Sequence, residues 1–176
     1  MALVVFLKGV NVGGHRTFRP TLLAEQLKRH ELVNIGAAGT FVVRAPVSQA
    51  QLRSDLRRRL PFEAEIMVCQ GREILTLAST DWFGDEPTPS GAVRFVSILG
   101  KRPRLMRPTP LIFPPDGRWL IKILALENRF VLGLYRREMK VISYLGRMDK
   151  FFGVPVTTRN WNTITAIVKV LRSGDS

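Results

Sequence analysis

Apolar and polar positions change period several times along the chain, and each change marks an element. "ALVVFLKG" is a β-rich apolar run that suits a strand, and alternation along it sets Leu3, Val5 and Leu7 on one face and Val4, Phe6 and Lys8 on the other. "RPTLLAEQLKRH" places Leu22, Leu23, Gln26 and Leu27 at helical spacing behind Pro20, and "ELVNIG" and "GTFVVRA" read as two strands. "VSQAQLRSDLRRRLP" predicts a helix capped by Ser48 with Leu52, Leu56 and Leu60 on one stripe, and "EAEIMVCQ" predicts a further strand. The order is βαββαβ, the ferredoxin-like split pattern, and "GREILTLAST" adds a short helix after it.

The second part is less regular. "AVRFVSILG", "RWLIKILALE" and "RFVLGLYRRE" read as strands, while the five prolines of "KRPRLMRPTPLIFPPDG" leave no room for a helix between the first two. "MKVISYLGRMDKFFG" is helix-like, and "NWNTITAIVKVLRSG" sets Ile164, Ile167, Val168 and Leu171 on one stripe that Gly174 closes. The Pro- and Gly-bearing "GDEPTPSGA" is the natural boundary. The expected organisation is α+β: a ferredoxin-like module over 1–80, a linker over 81–91, and a second, irregular α+β module over 92–176 that ends in a helix. Duplication follows from element order alone, since no strict internal repeat is visible.

Composition narrows the class. The 176 residues are 45% apolar, enough for one ample core or two small ones. No apolar run reaches the ~18 residues of a membrane span, and Met1 leads into "ALVVFLKG" without a basic leader, so a cytoplasmic protein with no membrane partner is expected. One cysteine beside two histidines gives neither an internal disulfide nor a metal cluster of familiar spacing. No metal and no cofactor are therefore expected.

A net charge of +13 changes the picture more, because such a surplus attracts phosphate polyanions. Twenty arginines against seven lysines suit bidentate phosphate contacts, yet a GC-rich genome imposes the same bias.

"FLKGVNVGG", the strand pair turning at "AAGTFVV", and "TTRNWNTIT" together resemble the bacterial family of domain of unknown function 1697 (DUF 1697), in the same order and across essentially the whole chain. The resemblance implies tandem ferredoxin-like modules in one body and implies no reaction. The middle motif departs from the family, which commonly reads Ser-Gly-Asn where this chain reads Ala38-Gly39-Thr40. A role that needs that asparagine amide is not implied here.

Candidate chemistry centres on loops. Gly9 and Gly14 stand five apart as in a phosphate loop, but His15 and Arg16 occupy the lysine and hydroxyl positions, and "RTFR" separates the glycines from the helix start. A Walker-type NTPase is excluded. What survives is an anion site built on Lys8, Asn11, Gly13, Gly14 and His15, against the preferred account of a tight loop whose glycines adopt positive φ. Near the other end, Arg159, Asn160 and Trp161 with Asn162 and Thr163 stand at a helix entrance, where free amides attract anions. Asn160 or Asn162 as a cap and Trp161 as a packing anchor explain the same residues and are slightly preferred. If the chain ends meet, the two turns line one cleft.

Three further features carry weaker signals. Arg53, Arg57, Arg58 and Arg59 form either a phosphate ridge or, by preference, a solvated helix face with cations near its carboxyl end. "KRPRLMR" offers Lys101, Arg102, Arg104 and Arg107 in a stretch, 87–115, without a single acid; a polyanion contact and a bare exposed connection stand level there. Phe6 and Phe41 occupy strands that stack bases in RNA-recognition domains, but the expected glycine-aromatic run is missing and core packing is preferred.

Catalysis finds little support. His15 and His30 have no sequence-near acid or nucleophile, a lone histidine being usually polar surface, and Cys69 reads as a buried strand residue. The pattern as a whole points to a non-catalytic binder of an anionic ligand, nucleic acid first. The second reading is an enzyme or binding protein for a phosphate- or carboxylate-bearing metabolite, and the third a homodimer whose basic surface has no specific partner.

Overall fold

The computed structural model describes residues 2–10, 17–104 and 106–174. The chain divides into two compact units: Met1–Ser79 with Thr163–Ser176, and Thr80–Asn162. The C-terminal helix, expected in the second module, is thus grouped with the first from Thr163 onward.

In the first unit the chain runs β1 (Leu3–Lys8), α1 (Pro20–Gln26), β2 (Leu32–Asn34), β3 (Thr40–Val43), α2 (Gln49–Arg59), β4 (Glu65–Gln70) and α3 (Gly71–Ala78). The sheet order is β2-β3-β1-β4 with antiparallel neighbours throughout, the ferredoxin-like arrangement that the element order predicts. Local chemistry sets the helix starts: Pro20 opens α1, Ser48 Oγ accepts the Gln51 amide at 3.1 Å to start α2, and Gln70 and Glu73 form a capping box on α3.

Leu3, Val5 and Leu7 of β1 meet Phe41, Val43, Ile66 and Val68, and Leu23, Leu27, Leu52, Leu56 and Leu60 close the core from the helices. The reverse sheet face is buried as well and carries Val4, Phe6, Val42, Met67 and Cys69. Phe6 and Phe41 are both fully buried, which removes them as a base-stacking platform.

The second unit contains β5 (Ala92–Leu99), β6 (Leu111–Phe113), β7 (Ile121–Glu127), β8 (Phe130–Arg136), α4 (Met139–Gly146), α5 (Met148–Phe152) and β9 (Val156–Asn160). Its order is β6-β7-β8-β5-β9, so the last four strands repeat the 2-3-1-4 order of the first sheet. Among the described residues the first crossover helix of the pattern is missing. Pro103, Pro108, Pro110, Pro114 and Pro115 occupy its place, and the chain there makes only the edge strand β6, which the sequence reading left inside an irregular stretch.

Two other elements differ from expectation. The single helix predicted over 139–153 is two, broken after Gly146, with Gly153 in the left-handed region closing the second. Val156–Asn160, which the sequence reading left unassigned ahead of the helix entrance expected over 159–163, is a strand: its β-branched Val156, Thr157 and Thr158 pair with Leu99, Ile98 and Ser97. The last helix, α6 (Trp161–Ser173), starts one residue later and buries the stripe Ile164, Ile167, Val168 and Leu171.

Candidate functional site: a basic groove on the second unit

Strand pairing brings two distant basic stretches together. β5 and β9 are antiparallel neighbours, so the carboxyl end of β5 at Leu99 lies opposite the start of β9 at Val156, and the Gly100 amide donates to the Pro155 carbonyl at 2.8 Å. The chain leaving β5 and the chain arriving from α5 therefore emerge at the same sheet end. The first carries Lys101, Arg102, Arg104 and Arg107; the second carries Lys150 and Phe151.

These residues line one groove of about 390 Å³ together with Phe152, Gly153 and Val154, and no acid lines it. All five cations are exposed. Arg107 lies with its guanidinium 4.3 Å from the centre of the Phe151 ring, a cation–π contact that holds the charge toward the groove without consuming its donors. Among the described residues no ion pair neutralises Lys101, Arg102, Arg104, Arg107 or Lys150. Pro103 interrupts the stretch 101–107 and Pro108 follows it, and its described residues form neither helix nor strand.

The other candidates fare differently. Asn11, Gly13, Gly14 and His15, with Arg16, lie outside the described residues. Lys8 ends β1 in register with Glu65; partial burial lowers its pKa, and Glu65 acts in the opposite direction. Arg159 is not at an open helix entrance. It sits in β9, 7% exposed, and donates to Thr157 Oγ1 at 2.7 Å and to the Thr158 carbonyl at 3.0 Å, and burial pushes its pKa down to about 10. Asn160 caps α6, its Oδ1 accepting the Asn162 amide at 2.8 Å, and Trp161 packs edge-on against Phe83 with centroids 5.3 Å apart. The "RNW" residues are thus each engaged in the fold.

On α2, the arginine row is partly occupied too. Arg53 donates to the Ile66 carbonyl and Arg58 pairs with Asp55. Asp55 is the residue sequence reading missed, along with its partner: His30, expected as polar surface, is buried and bonded to Asp55 at 2.7 Å. The available signal was one acid, Asp55, standing between Leu52 and Leu56 in a helix whose other charged residues are all arginines. Asp55 also takes Arg29 at 2.7 Å and Gln51 at 2.9 Å, so its carboxylate is saturated and serves as a tie between the turn after α1 and α2.

Among the described residues no group of three or more His, Cys, Asp or Glu stands ready for a metal ion, and no helix is long and apolar enough to cross a membrane.

The site and the two sheets define an α+β protein with a basic groove beside the second. No family model matches the sequence, and no curated protein matches it. Among solved structures the chain is similar to the conserved bacterial protein SP0830 from Streptococcus pneumoniae, with 13% identity over 97% of this chain and 98% of that one and a TM-score of 0.60. A likeness at that identity establishes the mixed α+β fold, which two chains of very different sequence share along nearly their whole lengths.

Proposed function

We propose that this chain is a non-catalytic nucleic-acid-binding protein of the bacterial cytoplasm, a divergent relative of the DUF 1697 family built from two ferredoxin-like modules. It holds the phosphate backbone with Lys101, Arg102, Arg104, Arg107 and Lys150. The observation that carries this reading is the convergence of five exposed cations on one groove without an acid in its lining. A groove of one sign raises the local concentration of polyanions, and arginine forks match phosphate oxygens in pairs. The net charge of +13 adds long-range attraction.

Titration with mixed-sequence single- and double-stranded RNA and DNA at several salt concentrations tests this. Neutralising about five phosphates gives a log–log salt slope near −3.5 on single strands. Absence of binding at low salt overturns the reading, as does binding whose slope is unchanged when groove cations are removed.

A further inference from the structure

Beside the groove lies a second cavity of different character. Phe113, Ile121, Tyr144, Arg147, Met148 and Phe151 enclose about 200 Å³ on the same unit. Phe151 lines both spaces, so the aromatic wall of the apolar cavity is also a wall of the basic groove. We propose that this cavity receives the bases of a single-stranded nucleic acid whose phosphates lie in the groove, an inference that rests on the nucleic-acid reading above.

The Phe151 ring stands edge-on to Phe113 at 5.1 Å and 88° and to Phe152 at 4.9 Å and 89°, contacts that favour this ring orientation. Met148 supplies a polarizable wall that adapts to a flat ring. Arg147 lies 5.4 Å from the Tyr144 ring centre and is the one charged residue of the lining, which contains no carboxylate. The cavity is below the ~300–1,000 Å³ typical of drug-sized ligands and so suits a single ring system at a time.

The juxtaposition selects the ligand. A track of cations alone accepts any polyanion, including polyphosphate or duplex, whose bases are turned inward. A cationic track flanked by an aromatic cavity fits a polymer that alternates phosphates with flat, partly apolar rings, and single strands expose such rings. The aromatics used here stand on α5, α4 and β6, not on the central strands where RNA-recognition domains carry theirs.

The test compares a mixed-base single-stranded oligonucleotide with an abasic strand of equal length at one salt concentration, using the full chain and its Phe151→Leu and Tyr144→Leu variants. Leucine keeps apolar volume and removes the ring face. The wild type should prefer the base-bearing strand by about 5- to 150-fold, the range of one base–aromatic stack. Phe151→Leu should bring the two strands within about twofold of each other with some loss on the abasic strand as well, because it releases Arg107, while Tyr144→Leu, which leaves the Arg107 contact intact, should narrow the preference with abasic binding unchanged. Equal wild-type affinity for both strands overturns the base site and leaves the phosphate groove standing. Absence of binding to either strand at low salt overturns the groove and the base site together. If Phe151→Leu weakens both strands alike, Tyr144→Leu decides: selective loss on the base-bearing strand supports the site, and an intact preference overturns it.

Discussion

His30 Nε2 lies 2.7 Å from Asp55 Oδ2, with both side chains buried, twenty-five residues apart in the chain. The hydrogen bond from His30, with help from Arg29 and Gln51 and against the cost of burial, holds the Asp55 carboxyl well below the usual carboxylate range. An ionised carboxylate only accepts, so Nε2 carries the hydrogen.

A pH dependence follows from that depressed value. The folded chain keeps Asp55 ionised to lower pH than the unfolded chain does, so its contribution to stability is complete above the unfolded value of about 3.9 and is lost as pH falls below it. Asp55→Asn is expected to lower the Tm at pH 7, and the gap to wild type is expected to narrow progressively below about pH 4. Thermal melts of both proteins at pH 7, 4 and 3 check this; a gap independent of pH would contradict the ionised tie.

Gly133 leaves no room for a side chain against the neighbouring strand. A Cβ there would stand 2.2 Å from the Lys122 carbonyl oxygen and 3.0 Å from Phe95 Cε1. Backbone on the neighbouring strand cannot yield as a flexible side chain does, so Gly133→Ala is expected to cost about 3 kcal/mol in urea denaturation. Gly100→Ala is the control: its Cβ would meet Pro155 at 3.5 Å, ordinary contact, and stability should change by less than about 0.5 kcal/mol.

Asn160 separates capping from ligand binding. Since its side chain satisfies the Asn162 amide, Asn160→Ala should destabilise the chain by about 1 kcal/mol while leaving nucleic-acid affinity within twofold, roughly the precision of a titration. Denaturation and salt titration of the same preparation give both answers.

The groove makes a quantitative demand on its cations. Arg102→Ala with Arg104→Ala should make the single-strand salt slope shallower by about 1.4, or about 0.7 per phosphate contact, and leave the urea midpoint unchanged because both side chains are exposed. A pair of substitutions on α2, Arg57→Ala with Arg59→Ala, removes equal charge elsewhere. An equal loss of slope from that pair would reduce the groove to general surface charge.

Much of the first unit was legible before any coordinates. Leu52, Leu56 and Leu60 gave the buried stripe of α2, Ser48 its cap, and alternation in "ALVVFLKG" the two faces of β1. In the second unit the strands β5, β7 and β8 were legible, and so was the lack of room for a helix among the prolines between the first two. The capping account of Asn160 held, but the strand Val156–Asn160 before it went unread, because it depends on β5 as a neighbour and on nothing within the segment.

The sequence by itself determined the order of elements in the first unit, its helix starts and the positive charge, because periodicity, caps and composition act within a turn or two of the chain or without regard to fold. Only the tertiary structure decided which charges matter where. Antiparallel pairing of β5 with β9 joins Lys101–Arg107 to Lys150 and Phe151 across some fifty residues, buries Arg159 that looked available, and leaves Asp55 tied to a histidine that looked alone. Contacts of that kind are set by strand register and packing, which no local window of residues contains.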